Sequence, residues 1–450
     1  MKRKIYEKLI NWKKTDAHRT ALLIDGARRV GKSYIVEEFA KKEYDSYILI
    51  DFNRITDDIK TLFENHLNDL DTFFSYLSAY FNTRLIPEKS LIIFDEIQLY
   101  PKARAAIKYL VADGRYHFIE TGSLMSIKAN VDGIVIPSEE RHISMYPFDF
   151  EEFLWAIGND TLFPLLQKHF LAQKPLGQVI HRKAMDYFRQ YLLVGGMPQA
   201  INEYVKEHDF INVDTVKRDI LTLYRSDIIK HARGYERKVE AIFDELPSQL
   251  QRHEKTFRLA SLDKKARFRD YEDAMFWLDD AMIINPAYNS TEPSIGLKMN
   301  MNRTTMKCYM ADTGLLISHA FDERSMVSEE IYQKLLFGTL EFNEGMIIEN
   351  IVAQMLVAAG HKLYFYSKSD RENSENNMEI DFLIAKSKIT SRHNISPLEV
   401  KSGKNYTFSS LKKFCKKYDQ QLNKPYLLHS GDVMEKDGFS CLPLYMTPML

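Results

Sequence analysis

The stretch that decides the interpretation of this sequence is Gly26-Ala27-Arg28-Arg29-Val30-Gly31-Lys32-Ser33. It has the spacing G-x-x-x-x-G-K-S and follows an apolar run at 21–24. In loops of this kind backbone N–H groups surround a phosphate, the lysine reaches the β and γ phosphates, and the serine hydroxyl binds Mg²⁺. We therefore expect residues 26–33, with the adjoining Tyr34, to bind a nucleotide at the positive end of the helix that starts near Lys32.

Composition indicates a globular protein with several domains. The 450 residues are 45% hydrophobic and 27% charged, which is enough for two or three cores. The formal net charge of −1 gives no overall attraction to nucleic acid or to acidic membranes. The cysteines Cys308, Cys415 and Cys441 are far apart, which argues for a reducing compartment and against disulfide or zinc frameworks. Because we find no signal peptide and no apolar run long enough to span a bilayer, we expect a soluble cytoplasmic protein.

Apolar runs alternate with helical patterns between residue 20 and about residue 150. This alternation predicts an α/β fold with a parallel sheet covered on both faces, in which ligands bind at the carboxyl ends of the strands. The predicted strands are 21–25, 47–52, 90–95, 116–121 and 142–145. The predicted helical stretches between them are 33–43, 56–82 and 102–113.

Two acidic residues stand at the end of one predicted strand. The apolar run 91–94 leads directly into Asp95 and Glu96. In a nucleotide site Asp95 would hold the Mg²⁺ shell, and Glu96 would orient or activate the attacking water. The plain alternative is a strand that ends in two solvated acids, which is less favoured after a phosphate loop.

Another strand end carries hydroxyl groups. Strand 116–121 leads into the sequence Thr121-Gly122-Ser123. Either Thr121 or Ser123 could contact the γ-phosphate or the lytic water, the role called sensor one. The alternative is turn chemistry alone, because threonine, glycine and serine favour turns.

Four segments occur in a fixed order and together resemble one known family. They are DGARRVGKS at 25–33, LIIFDEIQ at 91–98, ETGSL at 120–124 and MYPFDFEEFL at 145–154. The order is similar to that of the AAA-related P-loop ATPases of bacteria and archaea, a group close to the STAND class of NTPases. The resemblance implies ATP as the ligand, Mg²⁺ as the cofactor and an arginine just before the fifth strand. Arg141 stands there and could contact the γ-phosphate, although a surface arginine is the plainer interpretation.

The middle of the chain is predicted to be mainly helical. Residues 156–235 form several predicted helices, interrupted at Val194-Gly195-Gly196-Met197-Pro198, which resembles an element of the same family. Residues 236–320 are predicted to form a winged helix that closes with the family-like segment MADTGLL at 310–316. Its helix at 270–282 carries five acidic residues that would repel phosphates, so we favour a structural or protein-contact role over DNA binding.

A buried helix and three strands are predicted for the last part of the chain, residues 321–450. The apolar stretch 346–356 predicts a buried helix that contains Glu349. The predicted strands are 362–366, 379–384 and 397–401.

Acidic residues and one lysine lie on these elements in a pattern typical of metal-dependent nucleases. Strand side chains alternate, so Glu399 and Lys401 lie on one face of their strand. Asp381 and Glu399, with Glu349 from the helix, could bind Mg²⁺, and Lys401 could steady the attacking water or the phosphate. The set resembles the PD-(D/E)xK nuclease core and also a domain of unknown function that follows this type of ATPase. The alternative is an ion pair of Lys401 with Glu399 or Asp381 and no catalysis.

A basic stretch follows these strands and is interleaved with aromatic residues. Phosphates could bind there, whereas the simpler alternative is a solvated amphipathic helix with lysines on its wet face. The lysines are Lys401, Lys404, Lys412, Lys413, Lys416 and Lys417.

Four domains are predicted, and the patterns leave three functions open. The leading hypothesis is a Mg²⁺-dependent ATPase that couples nucleotide state to a nuclease-like domain. The alternatives are a slow nucleotide switch that acts as a protein- or DNA-binding module, and an ATP-regulated, metal-dependent DNA nuclease. The predicted partners are ATP and ADP, DNA, and a protein partner or a second copy of the chain, with no membrane. The predicted boundaries are 1–155 (ATPase core), 156–235 (helical), 236–320 (winged-helix-like) and 321–450 (nuclease-like).

Overall fold

The chain forms two compact units, Met1–Tyr146 and Pro147–Leu450, in a computed structural model. Two of the predicted site residues, Ser123 and Lys404, lie outside the described residues. The structure describes residues 1–122, 138–232, 234–251, 256–257, 261–262, 267–294, 296–321, 329–336, 344–369, 377–385, 394–403 and 406–450.

A five-stranded parallel sheet organises the N-terminal unit. Its order is β2-β3-β4-β1-β5, and every neighbouring pair is parallel. The predicted strands and the predicted α/β class are therefore confirmed. The strands β1 to β5 are Ala21–Gly26, Ser46–Asp51, Ser90–Asp95, His117–Gly122 and Glu140–Met145.

Helices connect these strands, and one predicted helical stretch is divided. Residues 56–82 contain two helices, because the Asp69 side chain accepts a hydrogen bond from the N–H of Thr72 and so starts a second helix. The helices α1 to α5 are Ile5–Thr15, Lys32–Glu43, Asp57–Asn65, Leu70–Tyr80 and Pro101–Asp113.

Alternate side chains of β1 enter two separate cores. Leu22 and Ile24 belong to the core that contains Phe39 of α2, whereas Leu23 belongs to the core that contains Phe63 of α3. All five side chains are buried, and each such burial stabilises the fold by about 1.5–3 kcal/mol. The two cores hold the sheet from both faces and leave the carboxyl ends of its parallel strands together at one edge.

Helices and a second sheet form the unit Pro147–Leu450. None of the helices in the part of the chain that the structure describes is long and apolar enough to cross a membrane. The helices α6 to α16 are Phe150–Ala156, Leu162–Ala172, Gln178–Val194, Pro198–Glu207, Phe210–His231, Glu236–Gln251, Phe268–Asp280, Thr313–Ala320, Glu329–Leu336, Glu344–Ala358 and Ser409–Lys417.

The second sheet has eight strands in the order β12-β13-β11-β10-β9-β8-β6-β7. Its strands β6 and β7 form an antiparallel hairpin, and β6 pairs in parallel with β8. The sheet therefore takes strands from both sides of the predicted boundary at residue 320. The strands β6 to β13 are Ile284–Ser290, Met301–Met310, Tyr364–Lys368, Met378–Ala385, Ile395–Val400, Tyr426–His429, Met434–Lys436 and Phe439–Pro443.

The paired glycines in the middle of the chain have a packing role. The N–H of Gly196 donates to Asp312 at 2.5 Å, and its carbonyl accepts from the N–H of Phe148 at 2.7 Å. A Cβ atom on Gly195 would collide with the Asp312 side chain, and one on Gly196 would collide with the backbone of Phe148. Asp312 also caps α13 by accepting from the N–H of Leu315 at 2.9 Å. Three of the family-like segments therefore meet in one buried contact.

Candidate functional site

The phosphate loop begins at Gly26, the last residue of β1, and ends at Lys32 and Ser33, the first two residues of α2. Arg29 and Gly31 have left-handed backbone conformations, with φ of 69° and 96°. Such conformations between helical residues form concavities in which N–H groups bind anions. A Cβ atom on Gly26 would collide with the carbonyl oxygen of Met145 on β5, so only glycine fits there. The backbone N–H groups of this loop could therefore bind a phosphate.

Lys32 lies buried at the start of α2. Its Nζ donates to the carbonyl oxygens of Gly26 at 2.8 Å and Ala27 at 3.0 Å. Burial lowers the pKa of Lys32, and the charges of Glu96 and Asp95 partly oppose that change. The ammonium therefore lies inside the loop, where it could exchange carbonyl acceptors for phosphate oxygens.

Asp95 is hydrogen-bonded to two other predicted site residues at the carboxyl edge of the sheet. Its Oδ1 accepts a hydrogen bond from Ser33 Oγ at 2.8 Å and another from Thr121 Oγ1. Thr121 Oγ1 in turn accepts from the N–H of Glu96 at 3.4 Å. Because Ser33 and Asp95 oxygens are hard ligands, this pair could hold Mg²⁺.

Glu96 follows β3 in a left-handed conformation, with φ of 56°. Its Oε2 accepts a hydrogen bond from Nε2 of Gln98, which is 6% exposed. The carboxylate is therefore held by a buried amide beside the predicted magnesium ligands.

The other predicted phosphate-loop residues differ in exposure. Ala27 and Val30 are buried, whereas Arg28, Arg29 and Tyr34 are exposed. Arg28 and Arg29 lie within the loop and Tyr34 directly follows it, and the backbone N–H groups of the loop remain the main predicted phosphate contacts.

The structure does not bring Arg141 to the phosphate loop. Arg141 is paired in register with Leu22, whereas Met145 is paired with Gly26. The Arg141 guanidinium lies 2.9 Å from Asp16, which precedes β1. Because Arg141 lies toward the amino end of the sheet and nucleotides bind at the carboxyl end, this geometry does not support the predicted γ-phosphate contact.

A charged cluster surrounds His142 on β5. Its Nε2 is 2.5 Å from Glu140, and its Nδ1 is 3.9 Å from Asp25, the residue before Gly26. Arg104 contacts both oxygens of Glu140, at 3.0 and 3.2 Å. Asp25 and Glu140 raise the pKa of His142 to about 9. The protonated imidazole therefore lies between two acids, one of them adjacent to the loop.

The predicted C-terminal acids lie on neighbouring strands. Leu398 of β10 is paired with Phe382 of β9, so Glu399 stands next to the Asp381 position. The N–H of Val400 donates to Asp381 Oδ2 at 2.8 Å. The predicted proximity of Asp381 and Glu399 follows from this register.

Two alternative ion pairs are predicted for Lys401, and the structure contains the one with Glu399. Nζ of Lys401 is 2.7 Å from Glu399 Oε1, and the Glu399 side chain is 7% exposed. The lysine is therefore close to the acid on the same strand face.

A lysine from another strand lies among the predicted metal ligands. Nζ of Lys307, on β7, is 3.9 Å from Glu349, 3.9 Å from Asp381 and 3.0 Å from Glu379. Within the described part of the chain, no group of three or more His, Cys, Asp or Glu side chains could hold a metal ion. These residues therefore do not fit the Mg²⁺ that the nuclease resemblance implies.

The basic stretch contains an amphipathic helix. Leu411 and Phe414 of α16 are buried, whereas Lys413, Lys416 and Lys417 are exposed. Lys412 is also exposed and lies 2.7 Å from Asp437. This distribution matches the simpler prediction of a helix with lysines on its wet face.

Comparison with known families assigns the first part of the chain. Residues 18–154 match the family model of the AAA domain. The N-terminal unit is thus an AAA-type P-loop domain, which confirms this part of the predicted resemblance. Residues 185–325 match a domain of unknown function, DUF8612, and residues 344–446 match another, DUF4143. These two matches assign neither a winged helix nor nuclease chemistry.

Similar solved structures have low sequence identity to this chain. A Walker-type ATPase of Pyrococcus abyssi is 15% identical over 71% of this chain and 95% of its own, with a TM-score of 0.40. The Orc1 protein of Aeropyrum pernix in complex with DNA is 9% identical over 72% and 93%, with a TM-score of 0.30. The Hsp104–ADP complex of S. cerevisiae is 12% identical over 78% and 43%, with a TM-score of 0.27. Among curated proteins, none matches the chain.

Several residues of these sites have no role in the sequence interpretation, and three of them show why. The contact of Gln98 with Glu96 had a local sequence signal, because the two residues are two positions apart. Arg3 donates to the carbonyl oxygens of Val30 at 3.2 Å and Tyr146 at 2.7 Å, and its only sequence signal is the basic run at residues 2–4. Lys307 had no signal, because its partners come from distant elements.

Proposed function

We propose that the protein binds ATP with Mg²⁺ in its N-terminal unit and hydrolyses it there. The observation that carries the proposal is that Ser33 of the phosphate loop and Thr121 both donate to one oxygen of Asp95. A chance match to the loop sequence gives no reason for these groups to meet beside a buried lysine at the carboxyl edge of a parallel sheet.

Each residue of the site has a separate role in binding or hydrolysis in this proposal. Backbone N–H groups of the loop and the ammonium of Lys32 bind the β and γ phosphates. Ser33 and Asp95 would hold Mg²⁺, which would neutralise charge on the phosphate oxygens. Glu96 orients the attacking water, and Thr121 fixes the Asp95 carboxylate.

Two variants test hydrolysis. Lys32→Ala removes the ammonium, so we expect nucleotide affinity to fall by about tenfold or more. Glu96→Gln keeps the shape but removes the carboxylate, so we expect kcat to fall by about 100-fold with affinity retained. Calorimetry and a phosphate-release assay measure the two effects.

The matched control is Lys41→Ala. Lys41 lies on the same helix as Lys32 but its side chain is 57% exposed, so both affinity and kcat should stay unchanged. Unchanged nucleotide affinity in Lys32→Ala would contradict the phosphate-loop assignment.

A slow nucleotide switch is the second candidate, and one contact favours it. Gln98 donates to one oxygen of the Glu96 carboxylate, so that oxygen is already engaged before a water binds. Tight ATP binding without measurable hydrolysis, unchanged by Glu96→Gln, would establish the switch in place of the ATPase.

The proposal includes an action of nucleotide state on the rest of the chain. DNA, a protein partner and a second copy of the chain are the candidate ligands. The exposed lysines of α16 support DNA contact through phosphates. ATP hydrolysis measured with and without duplex DNA tests this link, since DNA that is bound in a nucleotide-dependent way must change the rate or the affinity for ATP.

An ATP-regulated, metal-dependent DNA nuclease is the third candidate. It is supported by Asp381 and Glu399 on neighbouring strands and by Lys401 beside Glu399. It is opposed by the ammonium of Lys307 among the same acids. Nicking of plasmid DNA that requires Mg²⁺ or Mn²⁺ and is lost in Asp381→Ala would establish it.

A further inference from the structure

The acids of the second sheet surround a cation that belongs to the chain itself. Lys307 is 1% exposed, and its Nζ lies within 4 Å of carboxylate oxygens from Glu349, Glu379 and Asp381. The aromatic ring of Phe365 lies 5.0 Å from the same ammonium. One lysine of β7 therefore contacts acids from α15 and β9 and an aromatic face from β8.

Hydrogen-bond donors also contact oxygens of Glu349 and Asp381. The hydroxyl of Tyr309, two residues after Lys307, donates to Glu349 Oε2 at 3.1 Å. The N–H of Val400 donates to Asp381 Oδ2 at 2.8 Å. A divalent ion would need these oxygens as ligands and would be repelled by the ammonium at the same position.

We infer that the ammonium of Lys307 takes the place of the divalent cation in this nuclease-like cluster. Three carboxylates around one buried position would repel each other strongly without a cation, and Lys307 supplies that charge covalently. The cluster accordingly binds no divalent metal while Lys307 is present and becomes a divalent-cation site when the lysine is removed. On this inference the cluster has no metal-dependent nuclease activity, which excludes the third candidate function given above.

The test measures Mn²⁺ binding to the full-length chain in the absence of nucleotide. All proteins carry Asp95→Asn, which weakens the metal site of the phosphate loop, and electron paramagnetic resonance reports the free Mn²⁺. With Lys307 present, we expect no site with a dissociation constant of about 1 mM or tighter. With Lys307→Ala we expect one such site, which is lost again when Asp381→Asn is added.

Thermal unfolding gives a second readout. Lys307→Ala leaves Glu349, Glu379 and Asp381 without their shared cation, so we expect a lower Tm that millimolar Mn²⁺ restores. Lys412→Ala is the matched control, because Lys412 lies in the same unit with its side chain 52% exposed, and Mn²⁺ should not change its Tm.

Two results would overturn the inference. The first is Mn²⁺ binding that depends on Asp381 while Lys307 is intact. The second is a folded Lys307→Ala protein that binds no Mn²⁺. If Lys307→Ala does not fold, Mn²⁺ binding is compared between two proteins that retain Lys307, one with Asp381 and one with Asp381→Asn. Mn²⁺ binding that is lost in Asp381→Asn would then overturn the inference. The inference does not depend on ATP hydrolysis, so failure of either proposal leaves the other standing.

Discussion

His142 lies between two acidic side chains beside the phosphate loop. Asp25 and Glu140 raise its pKa to about 9, whereas the pKa of a histidine in an unfolded chain is about 6.5. The folded state thus binds the proton more tightly than the unfolded state. This contribution to stability is fully present below about pH 6.5 and is lost as the pH rises through about 9.

We predict that His142→Asn removes this pH dependence. The difference in unfolding free energy between the wild type and His142→Asn should be largest near pH 6 and should shrink toward zero above about pH 9. Urea unfolding at several pH values, followed by the fluorescence of Trp12 in a Trp155→Phe/Trp277→Phe background, measures it. His18→Asn is the control, because His18 is exposed. A difference that stays constant across this range would contradict the prediction.

The positions of site residues were predictable where their contacts follow from local sequence. Lys32, Asp95 and Thr121 lie at strand ends or in a loop of fixed spacing, and parallel strands bring those ends together. The contacts of Arg141 were not predictable in this way. They depend on the register of β5 against β1, which the order of the sequence segments does not reveal. Lys307 depends on the pairing of distant strands, which sequence spacing does not reveal.

The Gly195–Gly196 loop connects α8 and α9. Its Gly196 N–H is hydrogen-bonded to Asp312, the N-cap residue of α13. Asp312 is buried and accepts N–H groups from Gly196 and Leu315. One carboxylate therefore serves both a loop and a helix N-terminus that are far apart in the sequence.

We predict that Asp312→Ala destabilises the unit Pro147–Leu450 by about 2–4 kcal/mol, because two buried N–H groups lose their acceptor. Asp312→Asn keeps one acceptor oxygen and should cost less. Urea unfolding followed by the fluorescence of Trp277 in a Trp12→Phe/Trp155→Phe background gives the free energies. Lys412→Ala, which removes an exposed ion pair with Asp437, serves as the control. Equal midpoints for Asp312→Ala and this control would show that the contact contributes little.

Elements were predictable where periodicity is local. All five strands of the first sheet lie within a few residues of their predicted positions, because buried parallel strands are continuous apolar runs. The stretch 56–82 was predicted as one unit because both of its helices are amphipathic and Asp69 gives only a weak sequence signal. The β6–β7 hairpin was placed in a winged helix because its parallel pairing with β8 is a non-local contact.

At the scale of the whole molecule, the tryptophans report separately on the two units. Trp12 is the one tryptophan in Met1–Tyr146, and Trp277 lies buried in Pro147–Leu450. Each unit has its own buried core, so each reporter follows the unfolding of its own unit. The proposed coupling of nucleotide state to the rest of the chain requires that ATP change the unfolding of both units.

We predict that ATP with Mg²⁺ at about 100 times its dissociation constant stabilises the N-terminal unit by about 2.7 kcal/mol. The transition reported by Trp12 should rise by about 5–10 °C. The transition reported by Trp277 should also rise, by a smaller amount that measures the coupling. Thermal unfolding of the two single-tryptophan proteins provides both values, and Lys32→Ala should abolish both shifts. A Trp277 transition that ATP leaves unchanged would refute the coupling.

The eight-stranded sheet also constrains how this chain could have evolved. One separately recognised sequence family supplies β6 and β7, and another supplies β8 to β13. Recombination between them would leave the first with an unsupported hairpin and the second with the edge of β8 exposed to pairing with other chains. The two segments are therefore expected to be inherited together, as a single module, in any protein that contains this sheet.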